Sequence, residues 1–240
     1  MQREASLRVR REGVVSELVF LLDVDNTLID NDRVKADLQA QIERLVGPER
    51  GGRFWASYEE VRRELDYVDL PRTLERFRAA FPDEPSFPQL AAMLLCYPYE
   101  GWLFPGALEV IAHLKTLGRV AILSDGDPVF QPAKIARAGL ADAVDGNVLI
   151  YVHKEQHLDE VTRRYPADRY VMVDDKPRIL ATSKVLLGER LVTLHVCQGK
   201  YAHQGEHDAY APSDLSVDAI FEVQRLGRPD FVDHPREPAA

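Results

Sequence analysis

The first apolar block of the chain, Leu18-Val19-Phe20-Leu21-Leu22, is continuous rather than alternating and stops at Asp23. A short unbroken run of this kind predicts a strand buried on both faces. Three later runs also end on polar residues: Val120–Leu123 before Ser124, Val148–Val152 before His153 and Lys154, and Tyr170–Val173 before Asp174 and Asp175. A fifth, Leu191–Val196, has no acid at its end. Between these runs the spacing becomes helical. Ala107, Val110, Ile111, Leu114 and Leu117 share one helix face between Pro105 and Gly118, and Pro177 opens a helix that runs through Ile179, Leu180, Ser183 and Leu187 to Gly188. Glu155, Leu158, Val161 and Tyr165 predict another helix, opened by Lys154. Strand alternating with helix implies right-handed crossovers, hence an α/β fold with a Rossmann-like parallel sheet flanked by helices. Ligands of such sheets bind beyond the carboxyl ends of the strands, where the polar endings gather.

Between the first two strands this rhythm breaks. Val34–Val46, Arg53–Leu65 and Leu70–Phe81 read as helices with polar faces, followed by the proline-rich stretch Phe81–Pro88. The segment is too long for a crossover and too patterned for a loop, so it predicts an inserted α-helical cap. The expected organisation is a catalytic core of residues 17–29 and 103–225, a helical cap of residues 30–102, and flexible termini of residues 1–16 and 226–240. Gln198 to Asp214 shows little periodicity.

Composition narrows the function. A formal charge of −9 over 240 residues offers no broad basic face for a nucleic-acid backbone. The two cysteines, Cys96 and Cys197, make no disulfide framework and suit a reducing compartment. The polar start lacks the apolar stretch of a signal peptide, and no apolar run has the length of a membrane span. A cytoplasmic protein is the expectation.

Asp23 and Asp25 leave the first strand two residues apart, so their carboxylates repel unless a cation or shared proton relieves them. An Asp carboxylate is a nucleophile for phosphoryl groups, and a neighbouring Asp can protonate a leaving alcohol and then deprotonate water. Thr27 lies one turn on, with a hydroxyl able to orient Asp25 or touch phosphate.

At these residues the sequence resembles the phosphatases of the haloacid dehalogenase superfamily. Their Asp-x-Asp-x-Thr motif is matched by Asp23-Val24-Asp25-Asn26-Thr27, their strand-ending hydroxyl by Ser124, their lysine by Lys154, and their acidic pair by Asp174-Asp175. Phe104-Pro105-Gly106 resembles the return from the cap, and the likeness spans about Leu18 to Gln198. The resemblance implies magnesium held by Asp23, the backbone carbonyl of Asp25 and Asp174, with Asp175 direct or through water. It implies that Ser124 and Lys154 hold phosphate oxygens, and that the substrate is a small phosphorylated metabolite. The dehalogenases lack an acid two residues after the nucleophile, so Asp25 points to phosphatase or mutase chemistry. Two departures stand out: Ser124-Asp125-Gly126-Asp127 is unusually acidic, and Arg178-Ile179 occupies the stretch where the family places another acid.

Other readings compete. Asp125 and Asp127 read as turn and cap residues, with Pro128 opening a helix, and Asp175 as partly a helix cap. Lys154 alone would read as a solvated lysine. His195, Cys197, His203 and His207 match no standard zinc spacing. Phe54, Trp55, Tyr58, Arg62, Tyr67, Arg72 and Arg76 are the candidates for leaving-group recognition in the cap. A phosphomutase and a non-catalytic binding protein on the same fold remain the rivals. A phosphorylated signalling receiver would place its acidic pair before its phosphoacceptor, the reverse of this order.

Overall fold

The five sequence-predicted strands form at Leu18–Leu22 (β1), Arg119–Asp125 (β2), Val148–Tyr151 (β3), Arg169–Asp174 (β4) and Leu191–Val196 (β5). They belong to a computed structural model that describes residues 17–200 and 209–232. A sixth strand, Leu215–Val217 (β6), escaped the sequence reading because three partly exposed edge residues carry no periodic signal. All neighbours are parallel in the order β3-β2-β1-β4-β5-β6. Leu21 of β1 lies opposite Ala121 of β2 and Met172 of β4. The chain thus leaves β1 toward one side and returns through β4 on the other, so the switch point lies at the carboxyl ends of these two strands.

The unbroken apolar character of β1 follows from its position. Phe20 and Leu22 face one side, while Val19 and Leu21 face the other, each almost fully buried. The first side is covered by Ala107–Leu117 (α5), Phe130–Arg137 (α6) and Leu140–Ala143 (α7), the second by Leu158–Arg164 (α8) and Pro177–Leu187 (α9). Burying each Leu or Phe contributes about 1.5–3 kcal/mol, so a polar residue on either face of β1 would be costly.

Residues 30–102 supply Asn31–Val46 (α1), Pro48–Leu65 (α2), Leu70–Ala80 (α3) and Phe87–Leu95 (α4). The fourth begins inside the proline-rich stretch, with Pro88 in its first turn where a missing N–H costs nothing. Asp30 and Asp69 cap α1 and α3 by accepting from the backbone N–H of Arg33 and Arg72. Phe54, Phe77 and Leu90 join these helices into one apolar cluster continuous with the core.

The expectation of a flexible tail from residue 226 needs correction for its described part. Arg228–Val232 (α10) is helical, and Phe231 is fully buried with its ring edge-on to Phe20 at 5.2 Å. One aromatic anchored beneath the sheet holds a segment too short for a helical pattern. The expected flexible segment 1–16 lies outside the described residues. No helix among the described residues is long and apolar enough to cross a membrane.

Candidate active site

Asp23 follows β1 directly, and its backbone N–H donates to the carbonyl of Val173, which carries the β1–β4 pairing past the strand end. The chain then turns tightly: the N–H groups of Leu28 and Ile29 both donate to the carbonyl of Val24, and Asn26 has a left-handed φ of 63°. Asn is among the few non-glycine residues that adopt this region readily. The turn leaves Asp23 buried and Asp25 partly exposed.

Around Asp23 the sequence candidates converge. Thr27 Oγ1 donates to Asp23 Oδ2 at 3.2 Å, so Thr27 contacts Asp23 rather than Asp25. Lys154 Nζ lies 2.6 Å from both Asp23 Oδ1 and Asp174 Oδ2, and donates to the carbonyl of Leu123 at 3.2 Å. The reading of Lys154 as a solvated lysine is therefore overturned: it is 1% exposed. Nor does it open the next helix. Lys154–His157 form a single 3-10 turn before α8, reached through the left-handed His153. The Lys154 backbone N–H donates to Asp125 Oδ1 at 2.7 Å, which gives Asp125 its turn role. Asp127 accepts from the N–H groups of Val129 and Phe130, so the helix begins at Phe130 rather than Pro128.

Asp174 Oδ1 accepts from the Lys176 backbone N–H at 2.9 Å. Asp175, expected to act partly as a cap, does not: both of its oxygens are buried without a hydrogen-bond partner. One oxygen each of Asp23, Asp174 and Asp175 lie within 4.8 Å of one another. Burial raises the Asp175 carboxyl well above the usual range; Lys176 opposes this, and the Asp23 and Asp174 charges add to it. Burial likewise lifts Asp174, to about 6, despite Lys154. For Asp23 burial is outweighed by the charges of Lys154 and Lys176, which hold it below its ordinary value. Lys154 moves up, because the attraction of Asp174 and Asp23 exceeds the cost of its burial. Hard oxygen ligands that are buried, crowded and short of hydrogen bonds fit a divalent cation. The Asp25 side chain is not one of this trio, so any part it takes in holding a cation falls to its backbone carbonyl.

Above this cluster lies a cleft of about 630 Å³. Asp25, Asn26, Gly126 and Lys176 line it, whereas Asp23, Ser124 and Lys154 are buried and do not reach its lining. Of the cap candidates, Trp55, Tyr58, Arg62 and Tyr67 line the cleft. Phe54 is instead fully buried against Trp55 and Phe77, Arg76 pairs with Glu64 at 3.0 Å, and neither Arg72 nor Arg76 reaches the cleft. His195 and Cys197 contact each other at 3.3 Å, whereas His203 and His207 lie outside the described residues.

The sequence reading missed Gln131 and Lys134. Gln131 Nε2 donates to Ser124 Oγ at 2.9 Å and to Asp25 Oδ2 at 3.2 Å, and Lys134 pairs with Asp25 Oδ1. Their spacing of three residues put them on one helix face, a polar pair on a helix otherwise buried through Phe130 and Ile135.

Comparison with known proteins shows the family. The family model of the haloacid dehalogenase-like hydrolases matches residues 18–182, more than half of the chain. A haloacid dehalogenase-like hydrolase from Burkholderia xenovorans is 44% identical, with a TM-score of 0.85 over 90% of this chain and 99% of that one. L-2-haloacid dehalogenase from Xanthobacter autotrophicus shares the fold at 19% identity, with a TM-score of 0.58 over 87% and 97% of the two chains. A magnesium-bound hydrolase of the family from Bacillus subtilis does so at 14% identity, with a TM-score of 0.58 over 88% and 98%. No curated protein matches. By sequence and by fold, the chain belongs to the haloacid dehalogenase-like hydrolases.

Proposed function

We propose that the chain is a magnesium-dependent phosphatase of small phosphate monoesters, with Asp23 as nucleophile. The observation that carries this reading is the buried trio of Asp23, Asp174 and Asp175, in which both oxygens of Asp175 lack a partner. Asp23, Asp174, Asp175 and the Asp25 carbonyl would hold the ion. When bound, magnesium supplies positive charge against the phosphoryl oxygens and relieves the repulsion among the carboxylates.

The chain's own residues account for the remaining chemistry. A phosphoryl group enters from the cleft, and Ser124 and Lys154 hold its oxygens. An Asp23 oxygen attacks phosphorus while the bond to the leaving oxygen breaks, and Asp25 gives that oxygen its proton. The product of this step is an aspartyl-phosphate and a free alcohol. Water then attacks phosphorus, the bond to Asp23 breaks, and Asp25 takes the proton from water. Asp25 favours this reading over carbon–halogen hydrolysis, which needs no proton donor for the departing halide. The aromatic and basic cleft wall of Trp55, Tyr58 and Arg62 suits a small leaving group.

Inorganic phosphate release from an aryl phosphate, with magnesium or with chelator, tests the proposal in the wild type and in Asp23→Asn. Release that requires magnesium and disappears in the variant is expected. Activity surviving in Asp23→Asn would sink the nucleophile assignment, and halide release from a 2-haloacid without phosphate release would replace the reaction.

A further inference from the structure

Asp25 is gripped from one helix. Its Oδ1 pairs with Lys134 and its Oδ2 accepts from Gln131, both on α6 and more than a hundred residues along the chain. Each donor has a second attachment: Lys134 Nζ donates to Asn31 Oδ1 at 2.7 Å, and Gln131 Nε2 to Ser124 Oγ at 2.9 Å. Asn31 is the first residue of α1, so Lys134 ties Asp25 to the point where the inserted helices begin.

Both side chains are withdrawn from water, Lys134 at 7% exposure and Gln131 at 8%. A lysine loses hydration and rotamer freedom on such burial, and an ordinary surface lysine on α6 would not need it. The Lys134 ammonium also sits 5.6 Å from the Tyr99 ring centroid. Gly126 makes room for Gln131: a Cβ there would lie 2.7 Å from Gln131 Cβ and Cγ. One donor on each carboxylate oxygen leaves Asp25 a single orientation, whereas a partly exposed Asp without these contacts would sample several rotamers.

We propose that Lys134, assisted by Gln131, is the positioning residue for Asp25, fixing its carboxylate toward the leaving oxygen and the incoming water. The inference rests on the phosphatase reading, since Asp25 acts only if a proton must be moved. Orientation of an acid–base group matters most when the leaving group cannot depart unprotonated.

The experiment compares an alkyl phosphate (glycerol phosphate) with dinitrophenyl phosphate, whose phenolate leaves without a proton. Wild type, Lys134→Met, Asp25→Asn and the double variant are assayed on both. Lys134→Met should lose at least about tenfold more kcat/KM on the alkyl ester than on the aryl ester, because kcat/KM reports transfer to Asp23 while hydrolysis of the aspartyl-phosphate is common to both. The double variant should be no slower on the alkyl ester than Asp25→Asn alone, because both changes remove one function. Turnover of the aryl ester shows that Lys134→Met is folded; if it is not, Lys134→Gln takes its place under the same criteria. Equal losses of kcat/KM on the two esters, a loss confined to KM, or additive losses in the double variant would overturn the proposal. A wild type that releases phosphate from neither ester would instead refute the phosphatase reading beneath it.

Discussion

Asp175→Asn should make the ion-free protein more stable while removing its response to magnesium. Asp175 is fully buried and neither of its oxygens has a hydrogen-bond partner. An orphaned buried polar group costs about 1–3 kcal/mol, which asparagine would share, and an ionised one costs more; only that excess, with the like-charge repulsion, is removed. Asparagine keeps the shape, removes the charge and ends the repulsion from Asp23 and Asp174. We therefore expect a gain of about 1–3 kcal/mol in chelator at neutral pH, or roughly 3–9 °C in Tm for a chain of this size. The sign depends on pH. Burial raises the folded-state pKa of Asp175 above its ordinary 3.8, so its penalty is absent below that value and grows as pH rises. The advantage of the variant should accordingly shrink as pH falls toward 4. Urea denaturation in chelator and in magnesium, at neutral and mildly acid pH, reads all of this. Magnesium should stabilise the wild type by mass action and the variant far less. A variant that is less stable than wild type in chelator, or that gains equally from magnesium, would refute the reasoning.

Two further substitutions test the frame that holds the site. Phe231→Ala removes a fully buried ring packed on Phe20 and should cost about 3–5 kcal/mol in urea denaturation; a loss under about 1 kcal/mol would mean that α10 does not cover the sheet. Asp214 accepts from Lys184 Nζ at 2.8 Å, and from Thr193 N and Oγ1 at 2.8 and 2.9 Å. Burial acts to raise its pKa, but these contacts prevail and hold it below 3.8. Its stabilisation is therefore present above that pH and lost as pH falls through the folded value. Asp214→Asn should cost about 1–3 kcal/mol at neutral pH, with the difference from wild type closing below about pH 4. A difference independent of pH would count against the charge-assisted contacts.

Much of the framework was legible because burial on both faces leaves a mark that cannot be hidden. Each residue of Leu18–Leu22 meets a helix layer whichever way it points, so the run is unbroken and its end at Asp23 is sharp. The order of the polar endings, Asp23, Ser124, Lys154 and Asp174, follows from alternating strands and helices alone. Where the signal was short it failed: β6 has three residues and α10 five, too few for any period to emerge. Solvation was the other quantity the sequence could not hold. Lys154 reads the same whether it floats in water or lies between two carboxylates, and only the neighbours brought by β1, β2 and β4 decide. The same is true of Asp175, whose carboxylate oxygens lack a hydrogen-bond partner only because of how the pocket is assembled. Asp25 announces an acid at the end of β1, but its partners Lys134 and Gln131 arrive from a helix more than a hundred residues away. Chain order determined which chemical groups this protein carries at its strand ends. Tertiary structure decided which of them share a charge, a proton or a cation, because those energies depend on distance and exclusion of water rather than on position in the sequence.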